Sequence, residues 1–499
     1  MKDGPAKASP TSRVTDQMTV TQALQRLFGT SGGPVSFTSV AQKEGVEAVL
    51  TGETPLVVVL PTGGGKTVLP MIAAIIDPEG VNILVTPFRA LTNDMVARFQ
   101  RAGISCCEWD TSTRDPATVL VVSADAAAGY SFLTYSQSLQ QRGRLRRIFF
   151  DEAHLILTAG DWRPQLAQLR SLRVLSCPSI FLTATLPPML QYEFEESMAI
   201  RQTRYIRAST VRPCQRYYVQ SCRADHLASE AILLCRRWQL RLGPAKGIVY
   251  CSSRQSCQDL ATAIACPAYH AQTDQREAVL QDWGRSGGLI VATSALGTGV
   301  DIPNVLAIIH IDLPWSTIDY AQETGRAGRG GEPVDLVVLV DTQQVRERLD
   351  QGSYALDRAA VADFVSTSQC RRWVLSEYLD GVGQGQRCQQ VDQGAFCDRC
   401  GEGVSALMQQ QHERALERGR LDVILDELTT GCALCWVLGE GAHVDGHRTI
   451  QCRRWLPLCA EELDHFRRRI RYGRDVHSCY RCGIDQSWCA SGKDSTQAC

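Results

Sequence analysis

The sequence lacks any run of 18 or more apolar residues, so it predicts no membrane-spanning helix. Residues 1–19 are polar and lack the apolar core of a secretory signal, which predicts a disordered lead-in. An excess of one charge is also lacking, because 52 basic residues face 53 acidic ones and leave a net charge of −1. This balance neither indicates nor excludes a nucleic-acid partner, since a basic groove can lie on a neutral protein.

Cysteine, in contrast, is abundant, with 21 residues, of which 12 come after residue 369. Without a secretory signal, disulfides are not expected, and paired CxxC spacings indicate zinc sites instead. Six of the earlier cysteines lie in or beside apolar segments and are predicted to be small buried hydrophobic residues. They are Cys106, Cys107, Cys177, Cys251, Cys257 and Cys266.

A glycine-rich turn between a short apolar strand and a helix indicates a phosphate-binding loop at residues 60–67. Glycine allows backbone N–H groups to approach phosphate oxygens, and the helix N-terminus adds partial positive charge. We expect Lys66 to contact the β- and γ-phosphates of a nucleotide and the Thr67 hydroxyl to hold Mg²⁺. Leu60 stands where the usual motif has its first glycine, so an ordinary glycine turn is the alternative. The predicted nucleotide-binding residues of the loop are Thr62, Gly63, Gly64, Gly65, Lys66 and Thr67.

Short apolar strands alternate with helices after this loop, which predicts an α/β fold with parallel sheets covered on both faces. The pattern occurs twice, so we expect a first lobe over residues 20–205 and a second over 206–345. Ligands of such sheets bind at the carboxyl ends of the strands. The candidate strands are 55–60, 81–86, 118–122, 148–150, 179–183, 247–250, 289–293, 306–310 and 334–340.

Two neighbouring carboxylates, Asp151 and Glu152, follow the apolar strand 148–150 and precede His154. A carboxylate at a strand end can hold Mg²⁺ while its neighbour polarises a water molecule. We therefore expect Asp151 to hold the metal and Glu152 to act as general base. The alternative is a simple acidic helix N-terminus, but the position 85 residues after Lys66 favours the catalytic interpretation.

The second lobe has no phosphate loop, and it ends in the segment 322–329, which carries Arg326 and Arg329. Two arginines three apart on a helix lie on one face, so we expect both to reach a γ-phosphate bound by the first lobe. An arginine supplied in this way is worth about 10³–10⁵ in rate in related phosphoryl-transfer systems. The alternative is an ordinary surface helix.

Taken in order, these stretches resemble the superfamily 2 helicases. The strand-end segments that complete the resemblance are Thr86–Leu91, Thr183–Leu186 and Ala292–Pro303. Tyr269, Trp283 and the segment 322–330 are specifically similar to the RecQ DNA helicases, and that likeness runs over about residues 20–403.

The resemblance implies two RecA-like lobes, ATP and Mg²⁺ as ligands, single-stranded and forked DNA as partners, 3′-to-5′ polarity and a nuclear location. It also implies catalytic roles for His154 and Gln322. Gly299 and Asp301, inside one of the strand-end segments, are expected to contact the nucleotide.

Near the expected adenine site the chain departs from the family. The resemblance implies that Gln42 reads the adenine edge, since an amide can pair bidentately with adenine. The aromatic residue and the arginine that usually sandwich the base match Thr30 and Thr38 here.

In RecQ proteins an aromatic-rich loop couples DNA contact to ATP hydrolysis, and the matching stretch here keeps Trp162 and Arg163. The resemblance implies that coupling rests on these two residues, with core packing as the alternative for Trp162.

A helical zinc-binding module is predicted over residues 346–403. Four cysteines with a closing CxxC suit tetrahedral zinc, and they resemble the RecQ zinc module. We expect a structural role, and a further hypothesis is that Arg371 and Arg372 contact DNA phosphates. The predicted ligands are Cys370, Cys388, Cys397 and Cys400.

The cysteine-rich tail, residues 404–499, is similar to extensions of fungal RecQ-like proteins, including telomere-linked ones. Two CxxC pairs predict further zinc, either as two sites or as one shared site. A hydrolytic zinc is not expected, because no glutamate accompanies the histidines. One set of ligands would be Cys432, Cys435, His447 and Cys452, and a second would use Cys479, Cys482 and Cys489 with its fourth ligand open.

The basic run 466–474 is either a solvated helix face or a phosphate-contacting strip. No winged-helix segment is evident in the sequence. From the phosphate loop, the carboxylate pair, the arginine segment and the RecQ resemblance, we predict an ATP-dependent DNA helicase or translocase. The alternatives are an RNA helicase and a catalytically weak DNA-binding protein.

Overall fold

The computed structural model describes residues 18–29, 35–113, 117–159, 163, 165–297, 302–350 and 356–401. The chain divides into a unit of residues 1–402 and a second of residues 403–499, which lies outside the described residues. The predicted disordered lead-in and the tail zinc sites therefore stay predictions. Within the described ranges, no helix is both long enough and apolar enough to cross a membrane.

The first lobe is built on a seven-stranded sheet in which every strand pair is parallel. The strand order is β3-β4-β2-β5-β6-β1-β7, so β6 lies between β5 and β1. The central strands are apolar and fully buried because helices cover both faces. The strands are β1 Leu56–Val59, β2 Val81–Thr86, β3 Cys106–Glu108, β4 Val119–Ser123, β5 Leu145–Phe150, β6 Ser179–Thr183 and β7 Arg204–Arg207.

Nine α-helices belong to this described lobe. The third follows the phosphate loop directly and carries Pro70 in its first turn, where a missing N–H costs nothing. The helices are α1 Val20–Phe28, α2 Val40–Thr51, α3 Val68–Ile76, α4 Arg89–Arg101, α5 Ala124–Ala127, α6 Tyr130–Gln141, α7 Leu155–Thr158, α8 Gln165–Gln168 and α9 Gln191–Met198. Short 3₁₀ helices lie at Leu169–Val174 and Pro188–Leu190.

The second lobe repeats the arrangement with a six-stranded parallel sheet of order β10-β11-β9-β12-β13-β8. Its strands are β8 Gln215–Cys222, β9 Lys246–Cys251, β10 Ala268–Tyr269, β11 Gly288–Ala292, β12 Val305–Ile311 and β13 Val334–Asp341. Its helices are α10 Leu227–Leu242, α11 Arg254–Ala263, α12 Arg276–Ser286, α13 Thr317–Thr324 and α14 Thr342–Asp350, with 3₁₀ turns at Ala224–His226 and Ser294–Gly297.

A small helical module follows, with α15 Leu356–Ser366, α16 Arg371–Asp380 and a 3₁₀ turn at Cys388–Gln390. Its apolar side chains share one core with the second sheet. The ring of Phe364 on α15 meets Tyr217 of β8 edge-on, with centroids 5.9 Å apart. The module is therefore an extension of the second lobe's core.

The prediction of parallel-sheet lobes is confirmed, and all nine candidate strands occur. The four strands that the sequence did not indicate are β3, β7, β8 and β10, and each is the edge of its sheet. Central strands of a covered parallel sheet are continuously apolar, whereas edge strands are shorter or mixed in composition. The hydrophobic pattern therefore reveals the middle of each sheet and not its borders.

Candidate nucleotide and metal sites

The predicted phosphate loop lies between β1 and α3 in an open turn. Gly63 and Gly65 take φ values of 83° and 78°, where other residues are strained. A Cβ on Gly64 would lie 2.9 Å from the Pro61 carbonyl oxygen, so the turn requires glycine there as well. The Lys66 ammonium donates to the Leu60 carbonyl at 3.3 Å. Thr67 opens α3 without a side-chain capping bond, which leaves its hydroxyl available for a ligand.

Gln42 lies buried against this loop from α2. Its Oε1 accepts from the Thr38 N–H at 2.8 Å and from the Thr38 hydroxyl at 3.0 Å, and its Nε2 donates to the Gly65 carbonyl at 3.2 Å. Both lone pairs of the amide oxygen are therefore in use. The expected reading of adenine by Gln42 stays a prediction, and it requires the Thr38 contacts to give way.

Asp151 and Glu152 follow β5 at the carboxyl edge of the first sheet. Burial raises the pKa of Asp151 to about 7, with Glu152 adding to the rise and Lys66 opposing it. Glu152 has a φ of 47°, an uncommon value outside glycine that aims its side chain differently from Asp151. The Glu152 side chain is 32% exposed, but its Oε2 atom is buried and lies 3.5 Å from His154 Nδ1. The Asp151 carboxylate thus interacts electrostatically with Lys66, and the Glu152 carboxylate lies beside His154.

His154 connects the two lobes. Its Nδ1 lies 3.0 Å from the Thr183 hydroxyl, and its Nε2 lies 2.5 Å from the Gln322 amide nitrogen of the second lobe. The same amide nitrogen donates to the Thr185 hydroxyl at 3.3 Å. Burial lowers the pKa of His154 to about 4, so the imidazole is neutral at pH 7 and can accept from Gln322 at Nε2. His154, which follows β5, and Thr185, which follows β6, therefore contact the same side-chain amide of the second lobe.

The arginine segment differs from its prediction. Helix α13 ends at Thr324, and Gly325 and Gly328 (φ 66°) turn the chain before each arginine, so Arg326 and Arg329 do not share a helix face. Arg326 is buried and Arg329 is exposed. A Cβ on Gly325 would lie 2.9 Å from the Thr62 hydroxyl. The arginine turn and the phosphate loop are therefore in contact.

Arg163, from the expected coupling loop, contacts both helix α5 and the segment that follows β2. Its guanidinium donates to the Pro87 carbonyl at 2.5 Å and to Asp125 at 2.6 Å, and it stacks 4.7 Å from the centre of the Phe88 ring. Trp162 lies outside the described residues. Arg163 of the expected coupling loop thus packs on the strand-end segment Thr86–Leu91.

The four cysteines predicted to bind zinc converge. Their sulfur atoms all lie within 4.8 Å of one another, and the Cys370 and Cys388 sulfurs are 3.6 Å apart. Tetrahedral zinc with Zn–S bonds of about 2.3 Å requires sulfurs roughly 3.8 Å apart, so the cluster fits this metal. The Cys397 N–H also points at the Cys388 sulfur at 3.4 Å, a contact that stabilises a thiolate. The converging cysteines are Cys370, Cys388, Cys397 and Cys400.

The hypothesis that Arg371 and Arg372 contact DNA phosphates is wrong in this structure, because both are 1% exposed. Arg371 pairs with Asp398 at 2.6 Å and donates to the Phe364 and Val365 carbonyls. Asp398 was not singled out from the sequence, although it lies inside the closing CxxC. The partners of Arg371 lie within the module, whereas Arg372 bonds the module to the second lobe.

The Arg372 guanidinium donates to four backbone carbonyl oxygens. Three of these bonds are 2.8 Å or shorter and reach Arg212, Gln215 and Ala395. Trp283, part of the family likeness, is also structural, since it is buried and donates to the Gly288 carbonyl at 3.0 Å.

Several predicted residues fall outside the described parts of the chain, so their roles stay predictions. They are Thr30, Gly299, Asp301 and the tail ligands Cys432, Cys435, His447, Cys452, Cys479, Cys482 and Cys489.

Comparisons with known proteins agree with this geometry. The DEAD/DEAH box helicase family matches residues 39–192, and the helicase conserved C-terminal domain matches residues 231–331. The structure is similar to S. cerevisiae Dbp5 bound to RNA and ADP BeF3, with a TM-score of 0.52 at 16% identity over 66% of this chain and 90% of that one. The two parallel-sheet lobes, each matched by a helicase family, define the helicase class of superfamily 2.

The sequence relatives are more specific. The chain is 30% identical to the RecQ-like DNA helicase blm-1 of Caenorhabditis elegans, over 72% of its own length and 40% of the relative's. It is 28% identical to the ATP-dependent DNA helicase RecQ of Haemophilus influenzae, over 74% of its own length and 62% of the relative's. The chain belongs to the RecQ family.

Proposed function

We propose that the protein is an ATP-dependent DNA helicase or translocase that moves 3′ to 5′. The observation that carries the proposal is the contact of Gln322 in the second lobe with His154, three residues beyond Asp151. Such a contact makes the spacing of the lobes depend on the nucleotide site. Both RecQ relatives carry the words DNA helicase in their names, which supports DNA as the partner.

In this proposal Lys66, Thr67 and Asp151 hold ATP phosphates and Mg²⁺, and the metal neutralises charge on the transferred phosphoryl group. Glu152 accepts a proton from the attacking water. Arg326 and Arg329 stabilise the transition state from the second lobe.

The module would hold one structural Zn²⁺ on Cys370, Cys388, Cys397 and Cys400, because the sulfur spacing suits it. Gly299 and Asp301 would complete the nucleotide contacts. We place the protein in the nucleus, in line with its family resemblance. Forked DNA is the expected substrate.

The test is ATP turnover with single-stranded DNA, with RNA of the same sequence, and with neither. We expect DNA to stimulate turnover more than RNA does and Lys66→Ala to abolish it. Lys43→Ala is a matched control, since Lys43 is 60% exposed and pairs only with Glu47 on its own helix. Equal turnover by the wild type and Lys66→Ala would refute the motor, and a preference for RNA would refute the substrate.

A catalytically weak DNA-binding protein is the second candidate, and the engaged Gln42 amide favours it. Weak grip on adenine predicts similar turnover of ATP and GTP. Unwinding of a forked duplex separates the two candidates, because a protein that only binds DNA leaves the fork closed at any ATP concentration.

A further inference from the structure

We propose that Arg212 is the positioning residue for the two arginines of the second lobe. Its guanidinium donates to the Gly325 carbonyl at 2.9 Å and to the Gly328 carbonyl at 2.5 Å. These oxygens belong to the peptide bonds that lead directly into Arg326 and Arg329. One planar fork therefore fixes the backbone at the entry to both residues.

The fork adds side-chain bonds to a turn that is otherwise held by backbone hydrogen bonds of 3.2–3.3 Å. The turn lies beyond the end of α13, and Gly328 has a φ of 66° that glycine alone takes without strain. A Cβ on Gly328 would meet the Cys214 sulfur and the Val334 side chain at 3.0 Å, so the Arg212 segment also forms one wall of the turn. Loss of the fork leaves a glycine-rich turn with more backbone freedom.

Arg212 is itself fixed by the module. The Arg372 guanidinium donates to the Arg212 carbonyl at 2.6 Å and to the Ala395 carbonyl at 2.8 Å. The Ala395 N–H in turn donates to the Pro213 carbonyl at 2.9 Å. Ala395 lies two residues before Cys397, so a continuous set of contacts joins the cysteine cluster to the arginine turn.

This inference rests on the proposed ATP hydrolysis and adds a residue that does not touch the nucleotide. Because a displacement of about 1 Å can cost roughly 100-fold in rate, we expect Arg212→Met to lower kcat for ATP hydrolysis about 10- to 100-fold. The KM for ATP should change less than about threefold, since Lys66 and the loop are untouched.

The matched control is Arg216→Met, which removes another partly buried guanidinium of the same segment, one paired with Asp335 at 2.7 Å. It should leave kcat near the wild-type value. Arg212→Lys keeps the charge and reaches one carbonyl at a time, so its kcat should lie between those of the wild type and Arg212→Met.

A double-mutant cycle separates positioning from general damage. If Arg212 acts through Arg329, Arg212→Met should lower kcat less than about threefold further in an Arg329→Ala background. A full multiplicative loss in the double variant would overturn the proposal, as would wild-type kcat in Arg212→Met.

Hydrogen exchange supplies a readout that needs no ATPase. The amides of Arg326, Ala327 and Gly328 are hydrogen-bonded within or beside the turn. They should exchange at least about tenfold faster in Arg212→Met, while the peptide of β12 stays unchanged. Unchanged exchange rates of these amides overturn the proposal, whether or not the wild type hydrolyses ATP. A wild type that hydrolyses no ATP would refute only the proposed function. Should Arg212→Met not fold, Arg212→Lys takes the same tests.

Discussion

Two arginine pairs in this chain carry the same charge and have different environments in the structure, because Arg329 alone of these four residues is exposed. Arg326 and Arg329 lie on a turn at the contact between the lobes, and Arg329 is exposed. Arg371 and Arg372 open a helix, and both are fully buried among carbonyl and carboxylate oxygens. A buried guanidinium bonded to carbonyl and carboxylate oxygens stabilises the fold, whereas an exposed one on a turn beside the predicted phosphate loop can reach a bound nucleotide.

The largest expected effect that tests this comparison is metal removal from the module. Cys388→Ala should remove one zinc per chain and lower the melting temperature by roughly 10 °C or more, because such a metal contributes about 10–16 kcal/mol in zinc-finger peptides. Cys257→Ala is the control, a buried cysteine outside the cluster. Metal analysis and thermal unfolding measure both, and an unchanged zinc content would contradict the assignment.

Next in size is the effect of Arg329→Ala on catalysis. We expect kcat for ATP hydrolysis to fall about 10³-fold, at the lower end for a transition-state arginine. The melting temperature should stay within about 1 °C, because the side chain is exposed. Steady-state kinetics and thermal unfolding are compared on one preparation, and a loss below tenfold would remove Arg329 from the mechanism.

Arg372→Met should give the reverse pattern. Several buried carbonyls lose their donor, so the free energy of unfolding should fall by about 2–4 kcal/mol. The salt dependence of DNA binding should not change, and exposed Arg399→Met in the same module is the control. A salt slope smaller by about 1 in Arg372→Met would indicate a phosphate contact and contradict the structural role.

The smallest expected effect concerns a buried carboxylate, Asp319, and the pH dependence of stability. Burial raises the pKa of Asp319 on α13 to about 6 from an ordinary value of 3.8, with the Ser316 hydroxyl opposing the rise. A raised carboxyl pKa means that the folded state binds the proton more tightly, so stability falls as the pH rises from about 4 to about 6.

Above pH 6 that cost is complete, so Asp319→Asn should melt roughly 2 °C higher than the wild type at pH 8 and at the same temperature near pH 4. Thermal unfolding across this range measures the difference. An Asn variant that is equally destabilised at both pH values would show that the carboxylate contributes a hydrogen bond and no titration.

Much of the fold followed from the sequence because its signals are local. Buried parallel strands are continuously apolar, and β2 and β6 begin and end where the pattern predicts. The edge strands were not predicted, since β3, β7 and β10 have only two to four residues and β8 mixes polar with apolar residues. The cysteine cluster was also found from spacing, because metal ligands leave a pattern of residue types that packing does not require.

The sequence by itself determined the phosphate loop, the carboxylate pair and the four cysteines, since each uses residue types whose chemistry is fixed at short spacing. Only the tertiary structure decided what each arginine does. Charge is the same for a buried guanidinium and an exposed one, and the difference comes from chain segments more than 100 residues away, as in the contact of Arg212 with Gly325. That contact joins the segment that leads into β8 and the turn that follows α13, which the pairing of β8 with β13 brings together.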